Sequence, residues 1–230
     1  MSIWDNVKAL TFDFYGTLFD WEYSIRHESE KVLRKHGSMV DVDHFIRYWR
    51  SQQLHYSMVN TLIDRGRKSF LDLTGLALRH SLKTYDIHYD ESEMKSLLAR
   101  WTSLRPFPEI KESLKILRTK YMVVIASNGD KDVLTRNSEL YDLSFDHIFS
   151  SEIANAYKPS RIFYEKLLQL LDLKPDQVMH IARSQFDVFG SKAVGLHATW
   201  INRGHETLTE GFYKPDFQVN DLRELTTIAL

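Results

Sequence analysis

Four short apolar runs, Lys8 to Asp13, Tyr121 to Ala126, Gln177 to Ala182 and Leu196 to Ile201, all end near polar residues. Helical patterns separate them: Glu109 to Thr119, Asp130 to Leu140, Ile162 to Leu171 and Phe186 to Ala193. Runs that are apolar throughout suit strands covered on both faces, and strands alternating with helices build a mostly parallel sheet. An α/β fold is therefore expected. In such a sheet the ligand crevice lies outside the carboxyl ends of the strands. Asp13, Ser127-Asn128 and the segment Ala182 to Asp187 stand at those ends, so three distant segments are expected to meet in one place.

Residues from about Phe19 to Leu104 behave differently. They show helical spacing and no convincing strand, as in Ile25, Val32 and Leu33, then Phe45, Ile46, Trp49 and Leu54. An all-helical insertion is expected, able to close over the crevice and exclude water. Its far boundary is placed at Arg105-Pro106-Phe107-Pro108, where two prolines break any continuing helix. A chain of 230 residues accommodates both parts: a Rossmann-like core of residues 1–18 and 105–230 and a helical cap of residues 19–104.

Thirty Lys plus Arg against 31 Asp plus Glu give a net charge of -1, without the bulk basic field of most nucleic-acid binders, so nucleic acid is not an expected partner. No long apolar run precedes the first strand. Neither a signal peptide nor a membrane span is expected there, and a cytoplasmic location follows by default. The absence of cysteine excludes disulfides, thiolate catalysis and thiolate metal sites. The ten His residues show no metal-ligand spacing, and Tyr48, Trp49, Tyr56 and Met58 read as packing within the helical segment.

The stretch Thr11-Phe12-Asp13-Phe14-Tyr15-Gly16-Thr17-Leu18 sets one carboxylate at the end of an apolar strand and follows it with a Gly-Thr turn. A carboxylate is ionised at neutral pH without help, so Asp13 is a candidate nucleophile toward carbon or phosphorus. Phosphatases with this kind of motif carry a second Asp two places on. Tyr15 stands there, which points away from ordinary phosphoryl transfer.

Together with Ser127-Asn128-Gly129, Lys158-Pro159 and Asp187 in that order, this motif resembles the haloacid dehalogenase superfamily. Trp49-Arg50-Ser51-Gln52-Gln53-Leu54-His55-Tyr56 looks like the cap segment of its type II dehalogenases, which act on L-2-haloacids, and Trp200-Ile201-Asn202-Arg203 matches their last core strand. The resemblance implies that Asp13 displaces halide from C2 to form an ester, which water then hydrolyses at the Asp13 carbonyl. It implies that Arg50 and Asn128 cradle the halide, while Ser127 and the backbone amides after Asp13 hold the substrate carboxylate. Thr17 and Lys158 would support the nucleophile, Tyr164 would help complete the pocket, and Asp187 would orient Lys158 and the water. Tyr15, Leu54 and Phe186 would wall the substrate's alkyl group. The same resemblance implies no cofactor, and a homodimer built through the cap is common in relatives.

The chemistry agrees. A halide leaving saturated carbon needs no proton, only stabilisation of its growing charge by fixed donors such as a guanidinium and an amide N–H. An anionic substrate brought beside Asp13 needs a cation such as Lys158 to offset the repulsion. Metal is not required, since Ala182 cannot ligate where phosphatases carry their second acid. The pattern departs in one place. Type II dehalogenases usually have Ser where Ala182 stands and Asn where Ser184 stands, both bracing the Lys and Asp, so Lys158 and Asp187 are expected to be held less firmly. Arg183 reads equally as a surface residue or a pocket cation. The alternatives are a Mg²⁺-dependent phosphatase of the same superfamily acting on a small phosphate ester, and a non-catalytic binding protein that keeps the fold.

Overall fold

The computed structural model describes residues 2–63 and 66–230. Its first strand, β1 (Ala9–Phe12), is buried throughout, and consecutive side chains enter different apolar clusters. Leu10 and Phe12 join Val123 and Ile125 on one face of the sheet, while Ala9 joins Val124 and Ala126 on the other. This is the period of two of a strand covered on both sides.

Beyond β1 the chain runs through β2 (Phe19–Asp20), α1 (Trp21–Lys35), α2 (Val42–Ile63), α3 (Phe70–Thr84), α4 (Glu91–Ala99) and β3 (Arg105–Pro106). Then follow α5 (Ile110–Leu117), β4 (Met122–Ser127), α6 (Lys131–Glu139), β5 (His147–Ser150), α7 (Ser151–Ala154), α8 (Arg161–Leu171), β6 (Val178–Ala182), α9 (Gln185–Ala193), β7 (His197–Ile201), β8 (Phe217–Val219) and α10 (Leu222–Ala229). Six strands form one parallel sheet in the order β5-β4-β1-β6-β7-β8. The four expected strands and four expected helices are all present, with ends shifted by one or two residues. Of the helices near Asn128, none described is long and apolar enough to cross a membrane, nor is any other described helix.

Two features differ from expectation. Phe19–Asp20 is a strand, pairing antiparallel with Arg105–Pro106 where the helical segment leaves the sheet and returns to it. Two residues are too few to carry a period, so the sequence hides this ladder. The edge strands β5 and β8 were also unexpected, being short and mixed in polarity.

Register places the site. Phe12 lies between Ile125 of β4 and Ile181 of β6, so the three central strands end side by side and release Asp13, Asn128 and Arg183 into one crevice. From the other side, α2 and α3 pack together, and Trp49, Phe70 and Trp101 join the same apolar cluster as Phe12 and Ile125. Asp130, just beyond β4, accepts from the backbone N–H of Phe70 and Leu71 at 3.0 and 3.1 Å and pairs with Arg67. A core carboxylate thus caps the start of α3, where unpaired N–H groups and the helix dipole favour an anion.

Candidate active site

Asp13 continues the β1–β6 ladder by donating its N–H to Ile181 O at 2.9 Å, and the chain then turns sharply. Gly16 takes φ +86°, a left-handed conformation that suits glycine, and its N–H bonds Phe19 O at 2.7 Å. The turn brings Thr17 back over the strand end. Its hydroxyl donates to Asp13 Oδ2 at 2.9 Å and accepts the Arg183 N–H at 2.9 Å.

Lys158 reaches the other Asp13 oxygen. Its Nζ donates to Asp13 Oδ1 at 2.9 Å and to Ala126 O at 2.8 Å, and it pairs with Asp187 Oδ2. All three ammonium donors are used. Burial alone would lower the Lys158 pKa, but Asp13 and Asp187 outweigh it and raise the value, so the side chain is a cation. Its backbone is fixed by Asn128, whose Oδ1 accepts the Lys158 N–H at 2.7 Å.

Asp187, in the first turn of α9, is held from the buried side by two further groups. The Tyr164 hydroxyl donates to its Oδ1, and His180 Nε2 lies 2.9 Å from the same oxygen. His180 Nδ1 is 2.8 Å from the Thr11 hydroxyl, so the network passes through β6 into β1. Burial opposes the Asp187 charge, yet His180 and Lys158 prevail and hold its carboxyl below the usual range. In place of the Ser and Asn that usually brace this Lys and Asp in type II dehalogenases, other groups contact Lys158 and Asp187. His180 and Tyr164 occupy Asp187, and Ala126 O takes the spare Lys158 donor.

Arg50, from α2, faces this cluster across a cavity of about 330 Å³. Its guanidinium carbon lies 5.4 to 5.9 Å from the ring centres of Tyr15, Trp21, Phe70 and Trp101, and it bonds Gln53, which Thr74 orients at 2.9 Å. Among the described residues no carboxylate pairs with it. Burial lowers its pKa to about 10, so it remains charged at neutral pH. The Tyr15 ring stacks on Phe70 at 4.7 Å, and its hydroxyl is buried with no partner among the described residues. Burial also raises the Tyr15 pKa, keeping the phenol protonated.

The profile of the haloacid dehalogenase-like hydrolases matches residues 7–195. The chain belongs to that family. Among its relatives is "Haloacetate dehalogenase H-2" of Moraxella sp. (strain B), 31% identical over 93% of each chain. An (S)-2-haloacid dehalogenase of Pseudomonas sp. (strain YL) is 28% identical over 97% of this chain and 95% of its own. The L-2-haloacid dehalogenase of Xanthobacter autotrophicus, solved with chloropropionic acid covalently bound, superposes with a TM-score of 0.83 at 25% identity, covering 96% of this chain and 98% of that one.

Within this haloacid dehalogenase-like site, Asp13, Tyr15, Arg50, Leu54, Asn128, Lys158, Ser184, Phe186 and Asp187 all line the cavity, Phe186 as an exposed residue. Thr17 touches the cluster through Asp13. Two of the expected residues are not among those lining the cavity. Ser127, the last residue of β4, is buried, accepts the Gly129 N–H at 3.3 Å and is not among the residues lining the cavity, whereas Asn128 is. Tyr164, on α8, reaches the site through Asp187, to which its hydroxyl donates. His180 was missed. Its only signal is a titratable residue inside an otherwise apolar strand run.

Proposed function

We propose that this chain is a hydrolase that removes halide from short 2-haloacids through an ester on Asp13, with residues 19–104 as the cap that closes the site and residues 1–18 and 105–230 as the core. The relatives' activities support the reaction. The feature of the chain that carries it is Arg50, a cation with four aromatic neighbours and no carboxylate partner among the described residues, facing a cavity that also holds the carboxylate of Asp13. A departing halide acquires its charge in such a place, and donors fixed in advance need no reorganisation as it forms.

Thr17 and Lys158 each take one Asp13 oxygen, which fixes the carboxylate plane while the charge stays available for attack. Asp13 attacks C2, the carbon–halogen bond breaks, and the halide leaves toward Arg50 and Asn128. Leu54, Tyr15 and Phe186 wall the alkyl group. Water then attacks the Asp13 carbonyl carbon, oriented by the Asp187–Lys158 pair, which also supports the oxyanion. The acyl C–O bond breaks, the 2-hydroxyacid leaves with one of the water's protons, the other passes to solvent, and Asp13 returns as a carboxylate. The ammonium lying between Asp13 and Asp187 is the chain's own, so the reading requires no metal. Halide release from L-2-chloropropionate is expected to survive EDTA, and loss of turnover on chelation with recovery in Mg²⁺ would overturn this mechanism.

A cytoplasmic location and a homodimer belong to the same reading. Val59, Leu62 and Ile63, exposed on α2, are the apolar surface such a dimer would cover.

A further inference from the structure

Among the described residues three cations line the cavity, and two are already assigned. Lys158 spends its three donors on Asp13, Asp187 and Ala126 O. Arg50 lies among aromatic rings, where a leaving halide is to be received. The substrate's own carboxylate still needs a charged partner, since Ser127, the side chain expected to hold it, is neutral, buried and not among the residues lining the cavity. Arg183 is the remaining cation on the cavity wall.

Its position suits the task. The Arg183 stem lies against the turn after Asp13, so closely that a Cβ on Gly16 would stand 3.0 Å from Arg183 Cδ. In that same turn neither the Phe14 nor the Tyr15 N–H has an acceptor among the described residues. The guanidinium is already engaged by carboxylates: Glu22 Oε1 accepts from Nη1 at 2.8 Å, and Glu206 Oε1 lies 3.6 Å from Nη2. The two contacts are unequal. Glu22 is also 3.6 Å from Arg47, whereas the Glu206 side chain is half exposed and has no other cation near it among the described residues. The Glu206 backbone is fixed by reciprocal bonds with Asn202 at 2.8 and 2.9 Å, so its side chain can swing away without moving the loop.

Resting on the dehalogenase reading, we propose that Arg183 receives the substrate carboxylate, in exchange for Glu206, and so selects acids over neutral haloalkanes. A planar fork binds a carboxylate through two parallel charge-assisted bonds, which the longer Glu206 contact does not achieve. Arg183 then contributes to ground-state and transition-state binding alike, and its loss appears in KM.

The test uses the full-length enzyme with L-2-chloropropionate as substrate and propionate as a non-reacting probe. Arg183→Gln should raise KM about ten- to hundredfold with kcat within about threefold, and Arg183→Lys should recover part of the loss. Calorimetry should show propionate binding weakened to the same extent. Glu206→Gln removes the competing carboxylate and should lower KM a few-fold. Unchanged KM and unchanged propionate affinity in Arg183→Gln would overturn the proposal and leave Arg183 as a brace. An unchanged or higher KM in Glu206→Gln would overturn the exchange. Failure of the unmodified enzyme to release halide would instead sink the dehalogenase reading, and the propionate measurement would still decide whether Arg183 holds a carboxylate.

Discussion

His180 carries a task that the apolar strand around it conceals. It spans the sheet from Thr11 on β1 to Asp187 on α9 and, with Tyr164, meets the oxygen of Asp187 that faces away from Lys158. Without it Asp187 keeps its ion pair but loses a directional constraint, and small misplacements in a catalytic cluster are costly. His180→Ala is expected to lower kcat about tenfold with KM nearly constant, by analogy with the loss of groups that orient metal ligands. His180→Asn retains a donor within the strand and should recover much of the rate. Equal losses in the two variants would show that strand packing, not the bond to Asp187, is what His180 provides. At this same scale the site was partly legible beforehand. Asp13, Asn128, Lys158 and Asp187 declare themselves by order and residue type. The burial of Ser127 beside the Gly129 turn depends on where β4 ends, and the alliance of His180 with Asp187 depends on β6 lying beside β1. Neither appears in a linear pattern.

Helix α9 delivers Asp187, and it comes close to the chain carrying Lys158 by way of a glycine. A Cβ on Gly190 would stand 2.7 Å from Tyr164 Cε2, 2.8 Å from Pro159 Cβ and 2.9 Å from Pro159 O. Two of those atoms belong to the residue that follows Lys158, and the third to a ring that bonds Asp187. Gly190→Ala must therefore push α9 away from both. A destabilisation of about 1 to 3 kcal/mol is expected from overpacking, lowering Tm by several degrees in a chain of this size. Activity should fall as well, because the displacement separates Asp187 from Lys158. A melt and an assay on one preparation test both effects. The elements that were readable in advance are those with long patterns: the central strands and the helices that flank them. Strand β2, of two residues, and the short edge strands lack enough residues to express a period. Helix α10 does show one, with Leu222, Leu225 and Ala229 buried at helical spacing behind the Asp221 cap.

For the whole molecule, the buried ionic cluster ties stability to pH. The Asp187 carboxyl is held below the usual range when folded, whereas an unfolded Asp titrates near about 4. Its ionised form therefore favours the fold above that value, and the contribution is lost as pH falls through the folded one. Asp187→Asn is expected to be less stable than the unmodified protein at pH 7, with the gap narrowing as pH drops below about 4. Urea titrations at several pH values measure this, and a gap that stays constant across the series would show that Asp187 contributes through packing alone.

The central place of β1 also governs how the protein is made. Its neighbours in the sheet are β4 and β6, so β1, which leaves the ribosome before either, waits for partners that come much later, the last of them finishing at Ala182. At about 5 to 20 residues per second, that interval is on the order of ten seconds or more. Through it an apolar strand keeps at least its β6 edge unpaired while α1 to α4 can already fold around Trp49 and Leu78. Nascent chains stalled before β6 should consequently bind chaperones through the segment Ala9–Phe12, and release of that segment should coincide with the emergence of Ala182.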